Sequence, residues 1–313
     1  MRNFNGAYGR AFASRRMTLG LMTPIARPPG RAASPGEELR LAALADESGF
    51  AALWARDVPL MIPQGSDLQV AALDDPFVWL TRLGAATTDV ALALGAAVLP
   101  LRHPLHVAKA ALSVDRLSGG RFVLGLGSGD REAEFAAFGR DAGTRAEAFR
   151  AGWRIVRMAL SPEEDDRAAL RELTGGHDVL PPADWRLPML VVGSARQSLQ
   201  WIAAHADGWA TYHREEARQQ GRIGLWQGAL RERAGGLDKP FVQSVQLELL
   251  ADPDAPAQPL ELGLRGGRAA VLAYLLRLEA MGVRHALFNL SLAGRNAAEV
   301  VREIGEFILP RFR

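Results

Sequence analysis

Short apolar runs alternate along the chain with longer segments whose apolar residues recur every three or four positions. The clearest unit runs from 90 to 130. Residues 90–99 are apolar without alternation, the pattern of a strand covered on both faces of a parallel sheet. Pro100 ends that run, and Pro104 suits a first helical turn. Val107, Ala111, Val114 and Leu117 make an apolar stripe, and Gly119 and Gly120 supply a left-handed stop. Residues 122–126 form the next strand, parallel to the first, because a helical crossover of this length joins parallel neighbours in the right-handed sense.

The same alternation predicts strands at 18–23, 51–55, 188–192, 208–212, 241–250 and 283–290. Helices are expected from Ser34-Pro35 to Gly49, from Asp75-Pro76, over 145–160, from Gly193-Ser194 through His205, and over 215–234, 268–281 and 297–309. Eight strands each followed by a helix, in 313 residues, is the pattern of a single α/β domain, a (β/α)8 barrel; a doubly wound sheet is the alternative. The barrel is assigned to 18–313, with loop insertions after strands two and four. The insertion at 60–74, with Met61, Ile62 and Pro63, reads as a lid. Residues 161–187 read as irregular, with the acids at 163–166 on a solvated face. Residues 1–17 carry Arg2, Arg10, Arg15 and Arg16 and no acid. The missing continuous apolar stretch excludes an export signal. The segment reads as an arm laid across the closed end of the barrel or a partner subunit, with a transit peptide as the alternative.

Composition removes several chemistries. Lys+Arg 37 against Asp+Glu 35 leaves a net charge of +2, so no nucleic-acid footprint is indicated. No run approaches transmembrane length, and a cytoplasmic location is expected. Without cysteine there is no disulfide, thiolate nucleophile or cysteine metal site. The only lysines are Lys109, mid-helix, and Lys239, before its strand, so neither serves a Schiff base at a strand's catalytic end. His103 and His106 are closely spaced but have no partners on other strands, and no metal is expected.

The barrel rule puts the active site at the C-terminal ends of the strands. That selects Thr23, Asp57, Gly95, Ala96, Ala97, Ser128, Asp130, Gly193, Ser194, Tyr212, Glu248 and Asn289. Small residues at 95–97 either let a flat ligand approach the backbone or fill a crowded barrel. Gly125, Gly127 and Gly129 around Ser128 could expose amides to an anion. The segment from Gly193-Ser194 to Ser198 is either a phosphate seat or a capped helix without a ligand. A flat ring at one end and a phosphate at the other describes a flavin.

The run from Ala96 to Gly139, AAVLPLRHPLHVAKAALSVDRLSGGRFVLGLGSGDREAEFAAFG, resembles the core signature of the bacterial-luciferase-like flavin-dependent oxidoreductases. WARDVP at 54–59, VVGSARQSLQWIA at 191–203 and ADGWATY at 206–212 are similar to that family's other motifs, in the same order. The resemblance implies a (β/α)8 barrel that binds FMN, reduced by a separate reductase, or in one branch a deazaflavin coenzyme. It implies reaction with oxygen and an organic substrate, hence a monooxygenase on a small molecule and a homo-oligomer. A deazaflavin-dependent dehydrogenase and a flavin-binding protein without catalysis are the alternatives. By the same resemblance Gly95, Ala96 and Ala97 match the segment under the flavin ring, with a bulge or non-prolyl cis peptide expected there. Gly193, Ser194 and Ser198 match the phosphate side.

Two departures argue against light emission. The luciferases' catalytic histidine after strand two is replaced by Arg56-Asp57, and their reactive cysteine aligns with Gly127. Asp57 is the candidate catalytic residue. Its other reading is a structural pair with Arg56 or Arg102.

Overall fold

The structure, a computed structural model, describes residues 3–14, 16–26, 33–60, 62, 73–292 and 294–313. Eight parallel strands close into a barrel: β1 (Thr18–Met22), β2 (Ala52–Ala55), β3 (Ala91–Val98), β4 (Phe122–Gly127), β5 (Met189–Val192), β6 (Gly208–Tyr212), β7 (Phe241–Leu249) and β10 (His285–Asn289). Closure comes from β10, which pairs with β1 at Thr18↔His285 and with β7 at His285↔Val242. A further pair, β8 (Gln258–Leu260) and β9 (Gly263–Gly266), extends the sheet beside the second half of β7.

The helices are α1 (Gly6–Phe12), α2 (Pro35–Ser48), α3 (Pro76–Gly84), α4 (Pro104–Leu117), α5 (Glu132–Ala137), α6 (Arg145–Ala159), α7 (Glu164–Leu173), α8 (Leu199–His205), α9 (Glu216–Arg233), α10 (Arg268–Met281) and α11 (Ala297–Glu303). Local chemistry sets their ends. Asp75 accepts from the amides of Phe77 and Val78 at the start of α3, before Pro76 in the first turn. Gly49 and Gly282 end α2 and α10 in the left-handed conformation. Strand residues alternate between two cores. Met22, Ala52, Trp54, Ala93, Leu190 and Leu287 belong to the cluster that fills the barrel, and Leu53, Leu92, Leu124 and Val191 pack outward against the helices.

Four details differ from the sequence reading. The stretch 161–187 contains α7, whose first turn holds the acids at 164–166. They are favoured there by the helix dipole, and only Leu170 of this helix is buried. The helix expected from Gly193-Ser194 begins at Leu199, after a turn. Helix α5 and the β8–β9 pair lie in stretches where no element was expected. The final helix stops at Glu303 and gives way to tighter and wider turns. The lid expected at 60–74 falls on 61 and 63–72, outside the described residues.

Helix α1 covers the N-terminal ends of the strands. Asn5 reaches Asp115 and the Phe122 carbonyl, each at 2.7 Å, and the Ala7 amide donates to Gly120. Phe4 stacks on Tyr8, whose ring meets Phe12, and Phe12 points edge-on at His285 inside the barrel. The C-terminal ends are thereby the open face.

Candidate functional site

A cleft of about 260 Å³ opens at the C-terminal ends of β2 to β6. Eight of the expected residues line it: Asp57, Gly95, Ala96, Ser128, Asp130, Gly193, Ser194 and Tyr212. The structure does not bring Thr23, Ala97 or Ser198 into the cleft. Thr23 is buried, donating to the Trp54 carbonyl at 3.1 Å and accepting from the Trp79 indole at 3.0 Å. Ala97 packs in the outer core. Ser198 spends its hydroxyl on the cap of α8, accepting from the Trp201 amide. Glu248 faces Arg265 of β9 at 3.4 Å, and neither it nor Asn289 lines the cleft.

The floor is made at β3. The Gly95–Ala96 peptide is cis, and the pairing with β4 shifts register between Leu94 and Ala97, as the small-residue run and the family resemblance together imply. Both Gly95 and Ala96 consequently border the cleft, and Ala97 turns to the helix side. A Cβ on Gly95 would lie 3.0 Å from the Trp54 ring, a tight contact that would require the indole to give by a few tenths of an ångström. The result is bare backbone on an aromatic support, a surface that accepts a flat ring.

Asp57 is buried and bidentate. Its two oxygens accept from Arg102 Nε and Nη2, both at 2.8 Å, and Oδ2 also accepts from the Val98 amide at 3.2 Å. Burial opposes the Arg102 charge, but Asp57 and Asp75 more than offset it and raise its pKa above the ordinary value. Asp57 thus ties the end of β3 to the start of the following helix. Its partner is Arg102, one of the two arginines proposed for it from sequence.

The lining of the cleft is also cationic. Arg56, Arg131, Arg145 and Arg196 line it against two acids, Asp57 and Asp130. Burial pushes Glu134, behind Arg131, above the usual carboxylate range, although Arg131 opposes the shift. Between β5 and α8 the chain turns through three left-handed residues, Gly193, Ala195 and Arg196. Ser194 accepts from the Arg196 amide through Oγ and from the Gln197 amide through its carbonyl. Arg145 is the residue the sequence reading missed. It opens α6, its guanidinium lies 5.9 Å from the Phe135 ring, and its Nη1 is buried with no hydrogen-bond partner among the described residues. A buried donor without an acceptor is costly in isolation. With Ser128 and Ser194 on the same cleft, it fits a phosphate. A flat face at Gly95-Ala96 and cationic and hydroxyl groups at Arg145, Ser128 and Ser194, on one cleft, fit a flavin-type cofactor with its phosphate.

Among the described residues no group of three or more His, Asp or Glu is placed to hold a metal ion, and no helix is long and apolar enough to cross a membrane. The uncharacterized protein Rv0953c of Mycobacterium tuberculosis (strain ATCC 25618 / H37Rv) is 31% identical over 196 residues, 61% of this chain and 67% of that protein. The 4-hydroxyprotoasukamycin monooxygenase of Streptomyces nodosus subsp. asukaensis is 30% identical over 118 residues, 38% of this chain and 29% of that enzyme. Among solved structures, the monooxygenase RslO1 from Streptomyces bottropensis superposes with a TM-score of 0.76 at 20% identity, covering 95% of this chain and 100% of that one. An F420-dependent secondary alcohol dehydrogenase superposes at 0.73 and 15% identity, covering 95% and 99%. The oxygenating constituent of 3,6-diketocamphane monooxygenase from Pseudomonas putida, in complex with FMN, does so at 0.71 and 15%, with the same coverage. The sequence profile of luciferase-like monooxygenases matches residues 17–270, and with the barrel and its cleft in place the chain belongs to that family.

Proposed function

We propose that the protein is an FMN-dependent monooxygenase that oxidises a small organic substrate with oxygen, its reduced flavin supplied by a separate reductase. The observation that carries the reading is the buried Nη1 of Arg145, without a hydrogen-bond partner among the described residues, on the same cleft as the bare Gly95-Ala96 backbone. Arg145, Ser128 and Ser194 hold the phosphate, and Gly95 and Ala96 seat the ring. Bound reduced flavin supplies the oxygen chemistry. The chain's own part is to fix the ring and close off water. Asp57, occupied by Arg102 and Val98, contributes by positioning β3 rather than by moving protons.

Titrating FMN and riboflavin into wild type, Arg145→Gln and Ser194→Asp by flavin fluorescence tests the assignment. FMN should bind roughly tenfold or more weakly to each variant, because a charge-assisted bond is lost or a carboxylate occupies the phosphate's place. Riboflavin, which lacks the phosphate, should change little. Equal losses for both ligands would assign these residues to the fold instead. Oxygen uptake with reduced FMN separates the monooxygenase from a deazaflavin-dependent dehydrogenase, which needs no oxygen and prefers the other coenzyme.

A further inference from the structure

Outside the strands, between α8 and α9, a groove of about 930 Å³ opens at the same rim as the cleft and shares Gly193, Ser194 and Tyr212 with it. Trp209 and Thr211 of β6 border it, with Leu199 and the exposed Leu225 as apolar walls. Its charge is of one sign. Arg214, Arg218 and Arg222 line it, and no acid does. Arg218 and Arg222 are one turn apart on α9, and Arg214 stands two residues before the helix.

The nearby acids are committed elsewhere. Glu215 caps α9 by accepting from the Ala217 and Arg218 amides, and Glu216 takes a bidentate pair from Arg277 at 2.8 Å. None of the three arginines makes an ion pair among the described residues. Arg218 lies in a first helical turn, where the dipole disfavours a cation. Arg222 lies 6.0 Å from the Trp209 ring, half-buried, and burial together with the Arg214 charge lowers its pKa. Three like charges along an aromatic and aliphatic groove are individually unfavourable, and a bound polyanion would relieve all of them at once.

We propose that this groove is a second anion site, contiguous with the cleft, that takes a ligand portion bearing two or more phosphates or carboxylates on an apolar or aromatic body. Two sources share that chemistry. One is the part of a dinucleotide cofactor that extends beyond the flavin phosphate, an arm that rests on the flavin reading of the cleft. The other is a separate acidic substrate.

Calorimetric titration of tripolyphosphate into the full chain, with and without FMN, tests the groove by itself. Wild type should bind saturably, with affinity falling as salt rises. The doubly exchanged Arg214→Gln/Arg218→Gln chain should bind roughly tenfold or more weakly. Both side chains are exposed and unpaired, so its melting temperature and FMN affinity check that fold and cleft persist. FAD against FMN then identifies the source. An FAD preference in wild type that disappears in the variant assigns the groove to the cofactor's extension. Equal binding of the two flavins, with the tripolyphosphate result intact, assigns it to a separate ligand. Tripolyphosphate binding without any flavin binding sinks the cleft reading and leaves the groove standing. No tripolyphosphate binding to wild type, or equal binding to the variant, overturns the proposal.

Discussion

His285 shows how much one buried side chain settles. Its ring is fully buried in the barrel, Nε2 lies 2.9 Å from the Trp54 indole nitrogen, and Nδ1 lies 2.7 Å from Thr18 Oγ1. An indole nitrogen only donates, so Nε2 accepts and the proton resides on Nδ1. Burial pushes the pKa down to about 3, far below the ordinary 6.5. Between those values the unfolded chain binds a proton that the folded chain refuses. Its contribution to stability is therefore complete above 6.5, declines as pH falls below that value, and is exhausted near 3. Chemical denaturation across this window should show wild type losing about 1.4 kcal/mol per pH unit more than His285→Gln, whatever the variant's stability at neutral pH. Parallel curves would show that His285 is not the group responsible. At this scale the sequence was read unevenly. The barrel rule found Asp57, Ser128 and Tyr212 because it needs only the strand ends. It misplaced Ala97 because the register shift after Leu94 breaks the inward–outward alternation, and it misplaced Thr23 because Trp54 and Trp79 take up its hydroxyl. Arg145 escaped because it sits at a helix start, distant in sequence from every strand end. A cation in a first turn, against the helix dipole, was the signal available.

Among the elements, β3 and β4 carry the site, and glycine makes their close pairing possible. A Cβ on Gly125 would lie 2.1 Å from the Leu94 carbonyl oxygen, immediately before the shifted segment. On Gly127 it would meet only the Ala96 Cβ at 3.4 Å, with the Val192 carbonyl at 3.8 Å. Gly125→Ala should therefore cost about 3 kcal/mol or more, because backbone must move, and Gly127→Ala should change stability little. Thermal melts of the two variants compare them directly, and equal costs would show that the pairing tolerates a side chain at both positions. From the sequence these glycines could expose amides to an anion. Their spacing was visible, but the approach of Leu94 depends on how a neighbouring strand bends, which no local pattern encodes. The strands and long helices were legible because their apolar runs and caps are local. Helix α7 was not, since it buries only Leu170, and neither was the β8–β9 pair, in which β9 pairs with β7 and β8 with β9, without an apolar stripe of their own.

At the scale of the whole molecule, stability and chemistry occupy opposite ends of the barrel. The floor is held by α1 and the residues before it, where Phe4, Tyr8 and Phe12 recur every fourth residue and form a chain of ring contacts ending at His285. That spacing is present in the sequence of the same arginine-bearing segment. The floor is also held by Asp207, which receives Arg157 at 2.7 Å, Arg186 at 3.1 Å and the Met189 amide at 3.0 Å. Burial opposes its charge, but the two arginines prevail and lower its pKa. Between this floor and the cleft lies the inner layer that includes Met22, Trp54, Leu190 and Leu287. Truncating the floor should consequently weaken the barrel without reshaping the open face. Phe12 is buried against His285 and Tyr8, and Phe12→Ala should cost about 3 kcal/mol, most of it lost packing and the space left behind. In the folded fraction, FMN affinity should equal that of wild type, because Gly95, Ser194 and Arg145 contact nothing that changes. Denaturation curves and flavin titration on the same preparation separate the two quantities. A loss of FMN affinity at temperatures where the variant is fully folded would show that the floor transmits its state through Trp54 to Gly95, and that the two ends are not independent.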